Sequence, residues 1–326
     1  MTSDAGSTKP PAWIGYAMVL LLLAAVTVGI LVALDAAKTA EKTRDDYTAI
    51  ASGFGEDAVD PALWRERFPQ QYDLYRRTVD VERTRHGGSE AFQKLDEDPI
   101  WRVLYAGYPF GIDYREERGH AYMLLDQRET ERVTSVKQPG ACLHCHGSAT
   151  RAWRELGLGA GAPGSLEDPF DSPEARAQVD AGYRAMCAMS YAEAAKLVEH
   201  PVSCIDCHDP KGMRPRVSRP AFLQGIAALA AGLGEVPALF ESIQRWRESA
   251  RETPYDPNEL ASRAEMRVFV CAQCHAEYAI QGEARVVVHP WAGGLRAEQI
   301  EEVYDGQDFA DWTHLKSHAR LLKAQH

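Results

Sequence analysis

One short pattern, repeated three times, constrains this chain more than anything else in it. The copies are Cys142-Leu-His-Cys145-His146, Cys204-Ile-Asp-Cys207-His208 and Cys271-Ala-Gln-Cys274-His275. Cys-x-x-Cys-His is the attachment signature of c-type haem. Two cysteines three apart lie on one side of a helical turn, so both thiols can reach the vinyl groups of one porphyrin. The adjacent histidine then supplies the proximal imidazole. A zinc site would need two such pairs closing one tetrahedron, and a thioredoxin-like site would need one pair in a βαβ setting. The chain has 7 cysteines, so Cys187 is left over; it is expected to be a buried structural thiol. The three motifs predict three haems c, with His146, His208 and His275 as proximal ligands. Each haem is a large apolar plate, so helices are expected to pack on the plates, and haem loss should unfold much of the domain.

The second constraint is at the N-terminus. No charge lies between Lys9 and Asp35, and Trp13 to Leu34 is apolar. At ~1.5 Å rise per residue that run crosses the ~30 Å hydrocarbon core of a bilayer. A cleaved signal has a shorter apolar region and a small-x-small site, so an uncleaved anchor is the expectation, with a cleaved signal and a buried helix as alternatives. Flanking charges do not orient it. Haem attachment does, because that chemistry occurs outside the cytoplasmic membrane. The expected organisation is a cytoplasmic tail (1–12), a single transmembrane signal anchor (13–34), a linker (35–55) and a multihaem cytochrome c domain (56–326). The haem domain should face the periplasmic or extracytoplasmic side of the cell membrane. The net charge of -11 argues against nucleic acid as a partner.

The rest of the chain reads as mainly α. Trp64, Phe68, Tyr72 and Tyr75 recur at helical spacing, with Pro69 dividing the stretch into two helices. Gly107 to Gly111 and Gly157 to Pro173 read as loops. Helical patterns follow at 174–199, 219–232, 236–251, 257–280, 296–304 and 308–323, and Val286–Val288 is the one convincing strand. Eight histidines lie outside the haem-ligand positions: His86, His120, His144, His200, His289, His314, His318 and His326. They are enough to cap three irons, so the count alone does not separate an electron carrier from an enzyme with one open iron.

From Asp98 to His326 the chain resembles the N-terminal and central part of the ammonia-forming pentahaem cytochrome c nitrite reductases. The blocks that carry the resemblance are Tyr105-Ala-Gly-Tyr-Pro-Phe110, Arg118-Gly-His-Ala121, Asp126-Gln-Arg-Glu-Thr-Glu-Arg132 and Ser218-Arg-Pro220. Further on come Val270-Cys-Ala-Gln-Cys-His-Ala-Glu-Tyr278, His289-Pro-Trp291, Phe309-Ala-Asp-Trp-Thr313 and Leu322-Lys-Ala-Gln-His326. The resemblance implies six-electron, eight-proton reduction of nitrite to ammonium at the open iron of the haem on Cys142 and Cys145. Most members have lysine where this chain has His146; some have histidine.

The resemblance also implies a distal pocket of Arg132, Tyr278 and His326. Guanidinium suits an oxyanion, histidine can donate protons near neutrality, and tyrosine can donate a hydrogen bond. It implies a calcium ion held by the Glu277 carboxylate, the Tyr278 and Lys323 carbonyls and the Gln325 side chain, an all-oxygen set suited to a hard cation. His120 becomes a distal ligand, most readily of the third haem. His314 and His318 have no counterpart and read as exposed positions on a helix. A homodimer and a quinol-oxidising cytochrome c donor are the implied partners. The family's last two haem motifs and its dimer helices have no counterpart here, which reads as a truncated or split form with poor activity by itself. The alternatives are a membrane-anchored trihaem electron-transfer cytochrome and a haem-based redox sensor.

Overall fold

The structure is a computed structural model that describes residues 11–51, 53–77, 91–115 and 118–322, without side chains for residue 12 and 43–51. His86, Lys323, Gln325, His326 and most of the 1–12 tail lie outside the described residues. The chain divides into two units, Met1–Ser52 and Gly53–His326.

The first unit is one helix, Ala12–Ala51. Within Trp13–Lys42 an 18-residue stretch has mean hydropathy 2.9 and none of it is buried, and the helix is long and apolar enough to cross a membrane. The helix continues well past Leu34. Residues 35–52 contain neither glycine nor proline, so nothing stops the helix before Gly53.

In the second unit Pro69 does divide its stretch: a 3-10 turn spans Pro61–Glu66 and a helix spans Pro69–Arg76. Trp64 is fully buried, stacks on Phe54 and donates its indole N–H to the Ala58 carbonyl at 2.9 Å. The first large core lies between helices Thr150–Gly159 and Pro173–Ala188. Two glycines permit their close approach. A Cβ at Gly157 would lie 2.0 Å from the Gln178 carbonyl oxygen, and one at Gly182 would lie 1.7 Å from that of Trp153. The second core joins helices Pro220–Ala231, Glu241–Glu248 and Arg263–Ala272 around Phe222, Ile226, Ile243, Phe269 and Trp291. Arg247 donates to the carbonyls of Leu229, Ala230, Gly232 and Gly234, which meets the open acceptors at a helix C-terminus.

Val286–Val288 is a strand, paired antiparallel with Ala279–Gln281. The Tyr183 hydroxyl ties it to helix Pro173–Ala188, accepting from Val287 N at 2.9 Å and donating to Val287 O at 3.2 Å.

Three expected helices are interrupted or replaced. The 174–199 helix ends at Ala188, and Ser190 starts a separate turn, Tyr191–Ala194, with a capping box. The 257–280 helix splits into Pro257–Leu260 and Arg263–Ala272, where Ser262 forms a capping box with Glu265. No helix forms over 308–323. Trp312–Thr313 pairs antiparallel with Arg320–Leu321 instead. The cause is tertiary: Trp312 packs on Tyr108 at 4.7 Å between ring centroids, and Leu315 N donates to the Ala106 carbonyl at 3.0 Å. His314 is accordingly not on a helix; its Nε2 donates to the Val103 carbonyl at 2.8 Å. His318 is exposed, in a left-handed conformation with φ 59°.

Candidate functional site

All three motifs are tight turns with two unlike faces. The first runs from a 3-10 turn, Gly140–Cys142, into helix Leu143–His146. The second is a 3-10 turn, Cys204–Asp206, and the third follows helix Arg263–Ala272. In the second and third, the histidine N–H donates to the carbonyl of the first cysteine at 2.9 Å. The cysteines and proximal histidines are half-buried or exposed. By contrast, the residue just before the second cysteine is buried every time: His144 is 1%, Asp206 1% and Gln273 2% exposed. Each motif thus anchors itself through the position before its second cysteine, while its cysteines and proximal histidine stay at least partly exposed as residues. Burial pushes the thiols of Cys204 and Cys207 up to about 11 and about 12. The spare Cys187 is buried, and its thiol is pushed up to about 12 by that burial.

The donor set fits a haem at two places. His208 Nδ1 lies 3.0 Å from the Met213 carbonyl. A carbonyl only accepts, so Nδ1 carries the proton and Nε2 keeps the lone pair a metal needs. The rings of His120 and His275 stand 6.3 Å apart. Two metal–nitrogen bonds of ~2 Å plus two ring half-widths come to about that separation.

The buried anchors meet at Ser218 and Arg219. Ser218 N accepts no bond but donates to Gln273 Oε1 at 2.9 Å, and Ser218 Oγ donates to the Asp206 carbonyl at 2.8 Å. Gln273 Nε2 donates to that same carbonyl at 3.2 Å. Arg219 Nη2 donates to the Gly147 carbonyl at 3.0 Å and stands 3.2 Å from Asp206 Oδ1. The second cysteines of the first and third motifs are neighbours at this junction; the Cys145 thiol first, and then the Arg219 charge, hold the Cys274 thiol below its ordinary range against the effect of burial.

Arg132 and Tyr278 come together beside the first motif. Burial first, then the nearby Cys145 and Cys142, push the Tyr278 phenol well above its ordinary value, while Arg132 opposes the shift. Tyr108 is raised by burial and by Asp311 and Tyr278, so Tyr108 and Asp311 belong to the same neighbourhood. The Arg132 guanidinium lies 4.4 Å over the Phe110 ring. Its short helix, Glu131–Thr134, is fixed by Asp113, whose Oδ2 accepts from Thr130 Oγ1 at 2.8 Å and from Glu131 N at 2.7 Å. Gln93 and Arg115 donate to Oδ1 of the same carboxylate. Burial pulls the Asp113 pKa up, but the hydrogen bonds from Thr130, Glu131, Gln93 and Arg115 outweigh it and hold it below the usual range.

Glu277 accepts from the Tyr304 hydroxyl at 2.8 Å, and its carbonyl accepts from His289 Nδ1 at 2.8 Å. Among the described residues no three His, Cys, Asp or Glu side chains cluster as metal ligands. The expected calcium set has a single carboxylate, so it would not form such a cluster. Of that set, Glu277 and Tyr278 are described; Lys323, Gln325 and the third distal residue, His326, are not.

Asp113, Tyr108, Asp311, Asp206, Gln273 and Arg219 escaped the sequence reading as site residues. One signal was present: the position before the second cysteine holds a polar residue in all three motifs.

The cytochrome c552 family matches residues 60–326. The cytochrome c-552 of Parabacteroides distasonis is 30% identical over 271 residues, covering 81% of this chain and 45% of that protein. The cytochrome c-552 of Porphyromonas gingivalis is 29% identical over 273 residues with the same coverage. The chain therefore spans about half the length of the curated relatives it matches. Among solved structures, the catalytic subunit of cytochrome c nitrite reductase from Desulfovibrio desulfuricans, in which two calcium sites are described, is similar in fold. Its TM-score is 0.55 at 23% identity, covering 83% of this chain and 54% of that one. The match over residues 60–326 and the shared fold agree with the three haem-attachment motifs: this chain belongs to the cytochrome c552 family.

Proposed function

We propose that the chain acts in the reduction of nitrite to ammonium, with three haems c held at the three motifs. Haem would supply the redox-active iron, and the first motif, through Cys142, Cys145 and His146, would hold the one that serves nitrite. The observation that carries this reading is that Tyr278 and Cys142 pack on the same core, with the Arg132 charge near enough to act on the Tyr278 phenol. Arg132 binds the anion through a charge that persists at any working pH. Tyr278, kept protonated by burial, donates a hydrogen bond to a substrate oxygen. His326 delivers protons as N–O bonds break, and His208 and His275 are proximal ligands of haems that pass electrons. His120 and His275, whose rings stand 6.3 Å apart, would both hold the third haem. Glu277, Tyr278, Lys323 and Gln325 hold calcium beside the pocket. The apolar helix anchors the chain, with the haem domain on the periplasmic side, fed by a quinol-oxidising cytochrome c; dimerisation follows the family.

The test uses chain matured with a haem-ligation system. Intact mass should show three haems, part of the ferric spectrum should be high-spin, and nitrite should perturb that part. Ammonium should form from nitrite with a chemical reductant. Low-spin signal from all the haems, with no response to nitrite, would instead identify an electron-transfer cytochrome.

A further inference from the structure

Arg219 is 0% exposed and stands where the three motifs meet. Nη2 is engaged by the Gly147 carbonyl, immediately after the first motif, and lies 3.2 Å from Asp206 in the second. The guanidinium is 5.5 Å from the Trp153 ring on the apolar side. Nε and Nη1 are buried and have no hydrogen-bond partner in the protein, and neither does Asp206 Oδ1. Guanidinium cannot shed its charge, and buried donors left unmet are costly. Asp206 faces Nη2, which leaves Nε and Nη1 at this junction of haem-attachment turns open to a further acidic oxygen ligand.

We propose that Arg219 gives Nε–H and Nη1–H to haem propionate carboxylates, and that its fixed positive charge raises the reduction potential of the haem it serves. The inference rests on the haem reading above. Reduction of ferric to ferrous iron adds one electron, and a cation held nearby in a place closed to water favours the reduced form. Asp206 is the opposing charge, so the two side chains set the potential in opposite directions. Both are positioning residues; neither is placed at the substrate.

The experiment is a spectroelectrochemical titration of the haem-loaded full chain, with Arg219→Gln, Arg219→Lys and Asp206→Asn. Intact mass first counts the haems; absence of haem from the parent chain would defeat the haem reading and leave the potentials unmeasured for that reason alone. With three haems present, Arg219→Gln should lower the ferrous/ferric equilibrium constant of at least one haem tenfold or more, ~59 mV for a one-electron couple. Arg219→Lys should lower it less, and Asp206→Asn should raise it. A purely structural tie would not produce shifts of opposite sign. The propionate bending bands in resonance Raman should move in both Arg219 variants. If Arg219→Gln fails to load haem, Asp206→Asn against the parent carries the test. Unchanged potentials in loaded Arg219→Gln or Asp206→Asn overturn the proposal. So do potentials of the parent that follow added chloride or phosphate while the propionate bands stay fixed, since the donors would then serve a free anion.

Discussion

Where the three motifs meet, the ties are directed and polar: Ser218 to Gln273, Ser218 and Gln273 to the Asp206 carbonyl, Arg219 to Gly147. Around Arg132 the material is different. Tyr108, Phe110 and Trp312 pack face to face and at a tilt, and the arginine rests on an aromatic ring with only a long contact, 3.4 Å, to the Asp113 carbonyl. A network of directed bonds with shared members admits few arrangements, so it fixes the relative placement of three turns. An aromatic bed supports a side chain without consuming its donors, so the guanidinium keeps hydrogen-bonding capacity for an anion. The junction should therefore answer to substitution with stability and potential, and the pocket with chemistry.

The largest expected effect is in the pocket. Arg132→Ala should lower ammonium formation by about 10²–10³-fold, the typical cost of removing one preorganised donor for developing charge. Haem content and the midpoint of thermal unfolding should stay near those of the parent, because no hydrogen bond of the junction involves Arg132. An equal loss of thermal stability would erase the distinction between the two regions.

The junction should behave in the opposite way. Gln273→Ala strands the buried Ser218 N–H, whose acceptor is Gln273 Oε1. The cost is about 1–3 kcal/mol of unfolding free energy, read by denaturant titration of the haem-loaded chain. The nitrite-induced spectral change should persist. Its loss at full haem content would mean that the junction also shapes the pocket.

The two regions were unequally legible in the sequence. The motifs, the long apolar helix, the Pro69 break and the Val286–Val288 strand rest on local chemistry, and local chemistry is what a sequence displays. Arg132 and Tyr278 were reached through matched blocks, and the fold brings them together although they are far apart in the chain. The junction was invisible for a different reason. Its members, Asp206, Ser218, Arg219 and Gln273, read as ordinary solvated polar residues, and only burial from several directions gives them partners. The same tertiary override turned the expected 308–323 helix into a hairpin: Trp312 gains more by packing on Tyr108 and Tyr105 than from a helical turn.

Asp113 links the classes, because a polar network here carries the pocket's arginine. Its pKa is held below the usual carboxylate range in the folded chain. The group therefore adds stability that is complete above the unfolded value of ~3.9 and is lost as pH falls through the folded one. Asp113→Asn should remove that component of the acid limb. At neutral pH it should cost about 1 kcal/mol, and it should raise KM for nitrite through a looser Glu131–Thr134 turn. An acid limb identical to the parent's would show that other carboxylates dominate it.

The smallest expected effect tests whether the calcium reading of Glu277 belongs to the pocket at all. Tyr304 is 2% exposed and donates to Glu277 Oε1 at 2.8 Å. Burial, then the bond to Glu277, pushes its phenol far above the ordinary value, so it stays protonated throughout the working range. Tyr304→Phe removes one neutral donor from one carboxylate, a loss of about 0.5–1.5 kcal/mol. When calcium holds Glu277, the ion keeps the carboxylate in place without the tyrosine, and the variant should lie at the low end of that range. After chelation the tyrosine carries more of the orientation of Glu277, so the cost of the substitution should grow. The dependence on the ion is therefore more telling than the size of the loss. If chelation leaves the difference between parent and variant unchanged, Glu277 is oriented without calcium, and the pocket owes its order to the protein's own contacts, the aromatic bed and Asp113 among them.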